Sequence, residues 1–277
     1  MLPHWKQDDI VVNGVKIHYT RTGDGTKPPL VLAHGFSDNG LCWLPVACAL
    51  EDEYDVILPD ARGHGLSQRV QPGETIDMAA DLAGLIQALG LNRPVVGGHS
   101  MGANTTAVMA ARYPDIARAL LLEDPPWFAP KPPDPEPNEE QEPPRNDFEV
   151  WLTVLKEKPC DEIIAETRPQ QPLWPDIEWQ PWAESKVQLD LNIFKVQHMW
   201  DAWADWNKTA EAIQVPTLLI TADPEKGAIV HPEMARRAEE LSACIKAVRI
   251  SGAGHSIRRE NFADYMKAVR EFLAGVR

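Results

Sequence analysis

The residues best placed to do chemistry lie in Pro94-Val95-Val96-Gly97-Gly98-His99-Ser100-Met101-Gly102. A β-branched apolar run meets Gly98-His99-Ser100-Met101-Gly102, and apolar residues resume from Ala103 at helical spacing, so Ser100 falls where a strand becomes a helix. A serine hydroxyl is a weak nucleophile. It needs a neighbouring base to take its proton and a tight turn that exposes its oxygen, and Gly98 and Gly102 leave room for such a turn. A candidate base stands in Gly252-Ala253-Gly254-His255-Ser256: His255 is the only one of the eight histidines on a glycine-flanked loop directly after the final apolar strand. Nucleophile and base together would suit acyl transfer.

Several elements must position these two side chains. Ile10-Val11-Val12 and Val15-Lys16-Ile17-His18-Tyr19 flank Asn13-Gly14, a strong hairpin signal that predicts an antiparallel edge. Pro29-Leu30-Val31-Leu32-Ala33 is a continuous apolar strand of the kind covered on both faces, and it ends in His34-Gly35-Phe36. In serine hydrolases the loop after this strand donates one backbone N–H to the developing oxyanion, and the residue after the nucleophile donates another. By position those donors are Phe36 and Met101. Further strands are predicted at Asp55-Val56-Ile57-Leu58, Val95-Val96, Ala119-Leu120-Leu121-Leu122, Val215 to Ile220 and Ala247-Val248-Arg249-Ile250. Helices are predicted over Thr75–Leu89, Met101–Tyr113, Pro232–Leu241 and Ile257–Phe272. Strands and helices in this alternation describe a doubly wound, mostly parallel eight-stranded α/β sheet. In the loop Asp60-Ala61-Arg62-Gly63-His64-Gly65, Asp60 and Arg62 are expected to pair, and His64 to be structural.

Composition shifts sharply between Pro125 and Lys208, which hold 14 of the 25 prolines and 8 of the 10 tryptophans. The expected organisation is therefore a core of residues 1–124 and 209–277 interrupted by a mainly helical cap, 125–208. Pro132 to Asp147 reads as an acidic surface excursion. Phe148, Trp151, Leu152 and Leu155 then share one helical face, and Trp200, Trp203 and Trp206 lie three apart along another expected helix. These tryptophans could form a satellite core, or one or two could line an apolar substrate pocket.

A net charge of -14 and a pI near 5.0 argue against nucleic acid and against an anionic membrane surface. The sequence opens without an apolar signal-peptide core and has no run of 18 apolar residues, so a cytoplasmic protein is expected. Cys42, Cys48, Cys160 and Cys244 show no metal-site or disulfide spacing, and neither metal nor cofactor is expected.

With these segments in order, His34-Gly35-Phe36, Asp60-x-Arg62-Gly63-x-Gly65-x-Ser67, Gly98-His99-Ser100-Met101-Gly102 and Gly254-His255, the chain resembles the α/β-hydrolase superfamily, in the serine esterase and lactonase branch with a cap after the sixth strand. The resemblance covers nearly the whole chain. It implies a serine nucleophile, a histidine base and an acid that orients the base, in the chain order Ser, acid, His. The acid departs from the family's common pattern: three residues before Val230, where an aspartate is usual, stands Gly227. Some members, resembling haloalkane dehalogenases and certain lactonases, carry the acid at the end of the sixth strand, which here points to Asp124. Glu123 and Asp223 are the rivals. Adjacent strand residues face opposite ways, so Glu123 and Asp124 cannot both reach His255 unless the strand has already ended.

The expected function is a carboxylic ester hydrolase acting through an acyl-enzyme on Ser100, with a small-molecule ester or lactone as partner. The alternatives are a lactonase, a C–C bond hydrolase or a non-catalytic ligand-binding relative. Serine at position 100 speaks against dehalogenase and epoxide-hydrolase chemistry, which needs a carboxylate nucleophile. Substrate-binding residues and oligomeric state are not legible from spacing.

Overall fold

The computed structural model describes residue 2 and residues 4–128, 146–197 and 205–276. The chain opens with β1 (Lys6–Val12) and β2 (Val15–Arg21), which pair antiparallel across Asn13 and Gly14. Both turn residues have positive φ, 51° and 78°, as the tightest hairpin turn demands. The other strands are β3 (Pro29–Ala33), β4 (Asp55–Pro59), β5 (Val95–His99), β6 (Ala119–Glu123), β7 (Thr217–Thr221) and β8 (Ile245–Arg249). They form one sheet in the order β1-β2-β4-β3-β5-β6-β7-β8, antiparallel at β1, β2 and β4 and parallel from β4 to β8.

Successive strand side chains face opposite ways, and in the central strands both sets are apolar. Val31, Ile57, Val96, Leu120 and Leu122 join one core with α2 (Met78–Ala88), α3 (Met101–Arg112), α7 (Trp206–Ala212) and α8 (Pro232–Leu241). Leu30, Leu32, Val56, Leu58 and Leu121 join the other with α1 (Leu44–Leu50) and α10 (Phe262–Gly275). The expected α/β-hydrolase sheet is therefore present, with helices on both faces.

Two predicted helices differ at their ends. The helix predicted from Thr75 is α2, which starts at Met78 because the Asp77 carboxylate accepts the Ala80 N–H and caps it there. The terminal helix is split into α9 (Ile257–Glu260) and α10, with Asn261 between them capping α10 through the Asp264 N–H. Asp60 and Arg62 do not pair with each other. Asp60 accepts the N–H groups of Gly40 and Leu66, while Arg62 binds Asp81 and Glu74.

Between β6 and β7 lie α4 (Asp147–Lys156), α5 (Cys160–Thr167) and α6 (Asp176–Gln188). Leu155, Ile163, Trp179, Trp182 and Ala183 cluster on Cys42, and Leu152, Leu189 and Ile193 cluster on Val70 and Ile76. Trp206 begins α7 and stacks on Trp127 with ring centres 5.2 Å apart. Trp200, Trp203 and most of the acidic segment before Asp147 lie outside the described residues. No helix among the described residues is long and apolar enough to cross a membrane.

Candidate active site

Ser100 sits between β5 and α3 with φ 52° and ψ -118°, a left-handed backbone that costs a non-glycine residue on the order of 1–3 kcal/mol. Its N–H donates to the Glu123 carbonyl at 2.9 Å and its carbonyl accepts the Asn104 N–H at 3.0 Å, which fixes the turn to β6 and α3. The glycines of the motif have a steric reason. A Cβ on Gly102 would stand 2.3 Å from the Ala33 carbonyl oxygen, and one on Gly98 would stand 2.3 Å from Gly102. Helix α3 thus starts against the end of β3, which brings Met101, its first residue, near the loop that carries Phe36. The first N–H groups of a helix have no partner within it, so that of Met101 is left for another acceptor.

β6 ends at Glu123, and Asp124 follows with φ 43°. This break in the strand separates the two acids. Asp124 is fully buried, and its Oδ2 lies 2.7 Å from His255 Nδ1. The same carboxylate accepts the N–H groups of Ile229 at 2.8 Å and Val230 at 2.9 Å. Glu123 turns away to the Arg258 backbone N–H at 3.0 Å and guanidinium at 3.1 Å. Asp223 is held by Arg249 and by the Gly252 N–H. Of the three candidate acids, Asp124 is the one in contact with His255.

His255 is held from behind by His99. His99 Nε2 lies 3.0 Å from the His255 backbone carbonyl, so it carries the proton, and the two rings lie 4.6 Å apart. Burial pushes the His99 pKa well below the ordinary imidazole range, with Arg258 and His255 acting in the same direction. A neutral ring therefore backs His255. With Nδ1–H donated to Asp124, the His255 Nε2 lone pair is the one available to a hydroxyl.

Ser100, His255, His99 and Phe36 line one cavity of about 770 Å³. About a third of its described lining residues are phenylalanine or tryptophan, among them Phe148, Trp151 and Phe194 in one group and Trp174 and Trp182 in another, and polar side chains such as Asn146, Thr167, Gln170 and Gln171 share the lining. Phe36, Phe148 and Phe194 pack ring on ring at 5.3–6.4 Å. Trp174 and Trp182 thus belong both to a tryptophan cluster with Trp179 and to the cavity wall. Lys186, Asp38 and Arg259 also reach this wall, and spacing could not have found them, since Lys186 lies 148 residues from its partner Asp38. No group of acids, histidines and cysteines suited to hold a metal occurs among the described residues.

The model of the α/β hydrolase fold family matches residues 28–261. The chain belongs to that family. Its curated relatives include "2-(acetamidomethylene)succinate hydrolase" of Mesorhizobium japonicum, 38% identical over 101 residues that make up 36% of each chain. "N-formylmaleamate deformylase" of Pseudomonas putida is 27% identical over 96% of this chain and 95% of its own. "Epoxide hydrolase A" of Mycobacterium tuberculosis is 28% identical over 95% of this chain and 96% of its own. Among solved structures, an E-2-(acetamidomethylene)succinate hydrolase superposes with a TM-score of 0.77 at 22% identity, covering 98% of this chain and 100% of that one, which is a likeness of fold.

Proposed function

We propose that this family member is a serine hydrolase of carboxylic esters, with residues 125–208 forming a cap over the site. His255 takes the Ser100 proton as Ser100 attacks the ester carbonyl, and Asp124 holds the imidazole in the tautomer that can do so. The Phe36 and Met101 N–H groups receive the oxyanion, each worth roughly 3 kcal/mol by analogy with removal of one such donor elsewhere. His255 returns the proton to the leaving alcohol, and water then hydrolyses the acyl-enzyme. No cofactor takes part in these steps. The observation that carries this reading is the 2.7 Å contact of His255 with a fully buried Asp124, on the same cavity as Ser100.

The cavity favours a neutral ester with an aromatic or branched apolar group. Among its described lining residues the only lysine or arginine side chains are Lys186 and Arg259, and both are already bonded to carboxylates. A succinate or a maleamate, the substrates named for two relatives, would find no uncommitted lysine or arginine among those described residues. Serine at 100 supports acyl transfer over epoxide opening despite the epoxide hydrolase relative.

A panel of p-nitrophenyl acetate, butyrate, benzoate and hemisuccinate, run beside an aryl lactone, an N-formyl amide and styrene oxide, tests this. Neutral butyrate or benzoate should lead in kcat/KM and the hemisuccinate should trail by at least about tenfold, the order of one uncompensated charge interaction. Turnover of only the lactone, the amide or the epoxide would overturn the ester reading. Preference for the hemisuccinate would overturn the neutral-substrate reading alone.

A further inference from the structure

Three elements far apart in the chain meet at one buried carboxylate. Asp38 follows the Phe36 loop, Arg259 lies four residues beyond His255, and Lys186 belongs to α6. Lys186 Nζ donates to Asp38 Oδ1 at 2.9 Å, to the Ser37 carbonyl at 2.9 Å and to Ser37 Oγ at 3.0 Å. Arg259 donates to Asp38 Oδ2 at 2.9 Å and to Glu178, also on α6, at 3.1 Å. All four charged side chains are at most 5% exposed. Burial by itself would raise the Asp38 pKa, but Arg259, Lys186 and Arg258 together hold it well below the ordinary carboxylate range.

The Lys186 ammonium has three protons and three acceptors, so it has no lone pair or spare donor to offer a substrate. What it grips is a strained backbone. Gly35 to Asp38 form a turn closed by the Asp38 N–H on the Gly35 carbonyl at 3.1 Å, and its third residue, Ser37, has φ 64°. Turns reserve that position for glycine or asparagine, so serine persists there only where its surroundings over-determine it. Lys186 bonds both oxygen atoms of Ser37 and the side chain next to it. The second residue of the same turn is Phe36, whose N–H faces the oxyanion in the mechanism above.

We propose that Lys186 is a positioning residue: from the α6 segment it clamps Ser37 and Asp38, and thereby sets the Phe36 N–H in its oxyanion-binding orientation. Half of the oxyanion hole is thus built by the insertion between β6 and β7. Because Arg259 ties the same Asp38 to the segment after His255, the clamp also keeps base and oxyanion donor in register. This inference rests on Ser100 being the nucleophile.

The test is Lys186→Met, which keeps the aliphatic stem and removes the donors, with p-nitrophenyl butyrate as substrate. Functional sites are counted by labelling with a fluorophosphonate to completion, so that rates are expressed per competent site. Acylation and deacylation both pass through an oxyanion, so kcat per site should fall by about ten- to a hundredfold, less than outright loss of one donor, with KM little changed. Lys186→Arg should recover part of the loss, and Asp38→Asn should reproduce it. A merely structural lysine would lower the number of labelled sites and leave the rate per site alone. An unchanged rate per site, or a loss confined to KM, overturns the clamp. If Lys186→Met does not fold, Lys186→Arg and Asp38→Asn decide by the same readout. Absence of labelling on the wild-type protein would instead remove the Ser100 reading on which the clamp depends.

Discussion

Replacing Asp124 by asparagine keeps the shape of the side chain and changes what it can accept. The present carboxylate takes the Val230 N–H on Oδ1, and on Oδ2 both the Ile229 N–H and His255 Nδ1. Asparagine offers one oxygen and one NH₂. With the oxygen at the Oδ2 place, the NH₂ meets the Val230 N–H donor to donor in a fully buried site, which costs about 1–3 kcal/mol. With the oxygen at the Oδ1 place, the NH₂ opposes the Ile229 N–H and turns His255 into an Nδ1 acceptor. The proton then moves to Nε2, where His255 can no longer take one from Ser100. Carried over from the same change in a serine-protease triad, the loss in kcat is on the order of 10⁴-fold, equivalent to about 5.5 kcal/mol. Tm should fall by a few degrees, about 2–4 °C for each kcal/mol lost in a chain of this size. The assay is steady-state hydrolysis of p-nitrophenyl butyrate beside a thermal melt. A kcat within about tenfold of wild type in a folded variant would refute the assignment of Asp124 as the orienting acid.

Asp223→Asn should leave kcat within about tenfold, because its partners are Arg249 and Gly252 rather than His255; a larger loss than that of Asp124→Asn would reverse the ranking. Gly102→Ala should destabilise the fold by at least about 1–3 kcal/mol, since its Cβ would meet the Ala33 carbonyl at 2.3 Å, and an unshifted melt would contradict that packing. His64 is fully buried, and burial, reinforced by His34, lowers its pKa to about 3. Below pH about 6.5 the unfolded chain gains a proton at His64 that the folded chain refuses, so stability drops on acidification, by about 2 kcal/mol at pH 5. His64→Asn should therefore show a shallower loss of Tm between pH 7.5 and 5 than the wild type; equal slopes would contradict it.

The sheet was legible because its signals are local. Asn13-Gly14 sets the hairpin, and the paired apolar faces of β3 to β7 announce strands covered on both sides. The elbow could be read from Gly98 and Gly102 because a helix start packed against a strand end excludes any Cβ. The carboxylate that contacts His255 was narrower to read: Asp124 and Glu123 are neighbours, and only the backbone break after β6, with φ 43° at Asp124, separates their directions. Asp60 and Arg62 went astray for the opposite reason. Proximity in sequence suggested a pair, whereas loop closure gave each a better partner: two backbone N–H groups for Asp60, and Asp81 with Glu74 for Arg62. The junction at Asp38 left no trace in spacing at all, because side chains from three separate segments meet only after the sheet has formed.

The central claim, that Ser100 is the nucleophile of an acyl-transfer site, is tested most directly by covalent labelling. Incubation with a fluorophosphonate, followed by intact mass and peptide mapping, should give one adduct per chain, on Ser100. Ser100→Ala should abolish it and Asp124→Asn should slow it severely. Folded wild-type protein that stays unlabelled, or an adduct on any other residue, would contradict the claim.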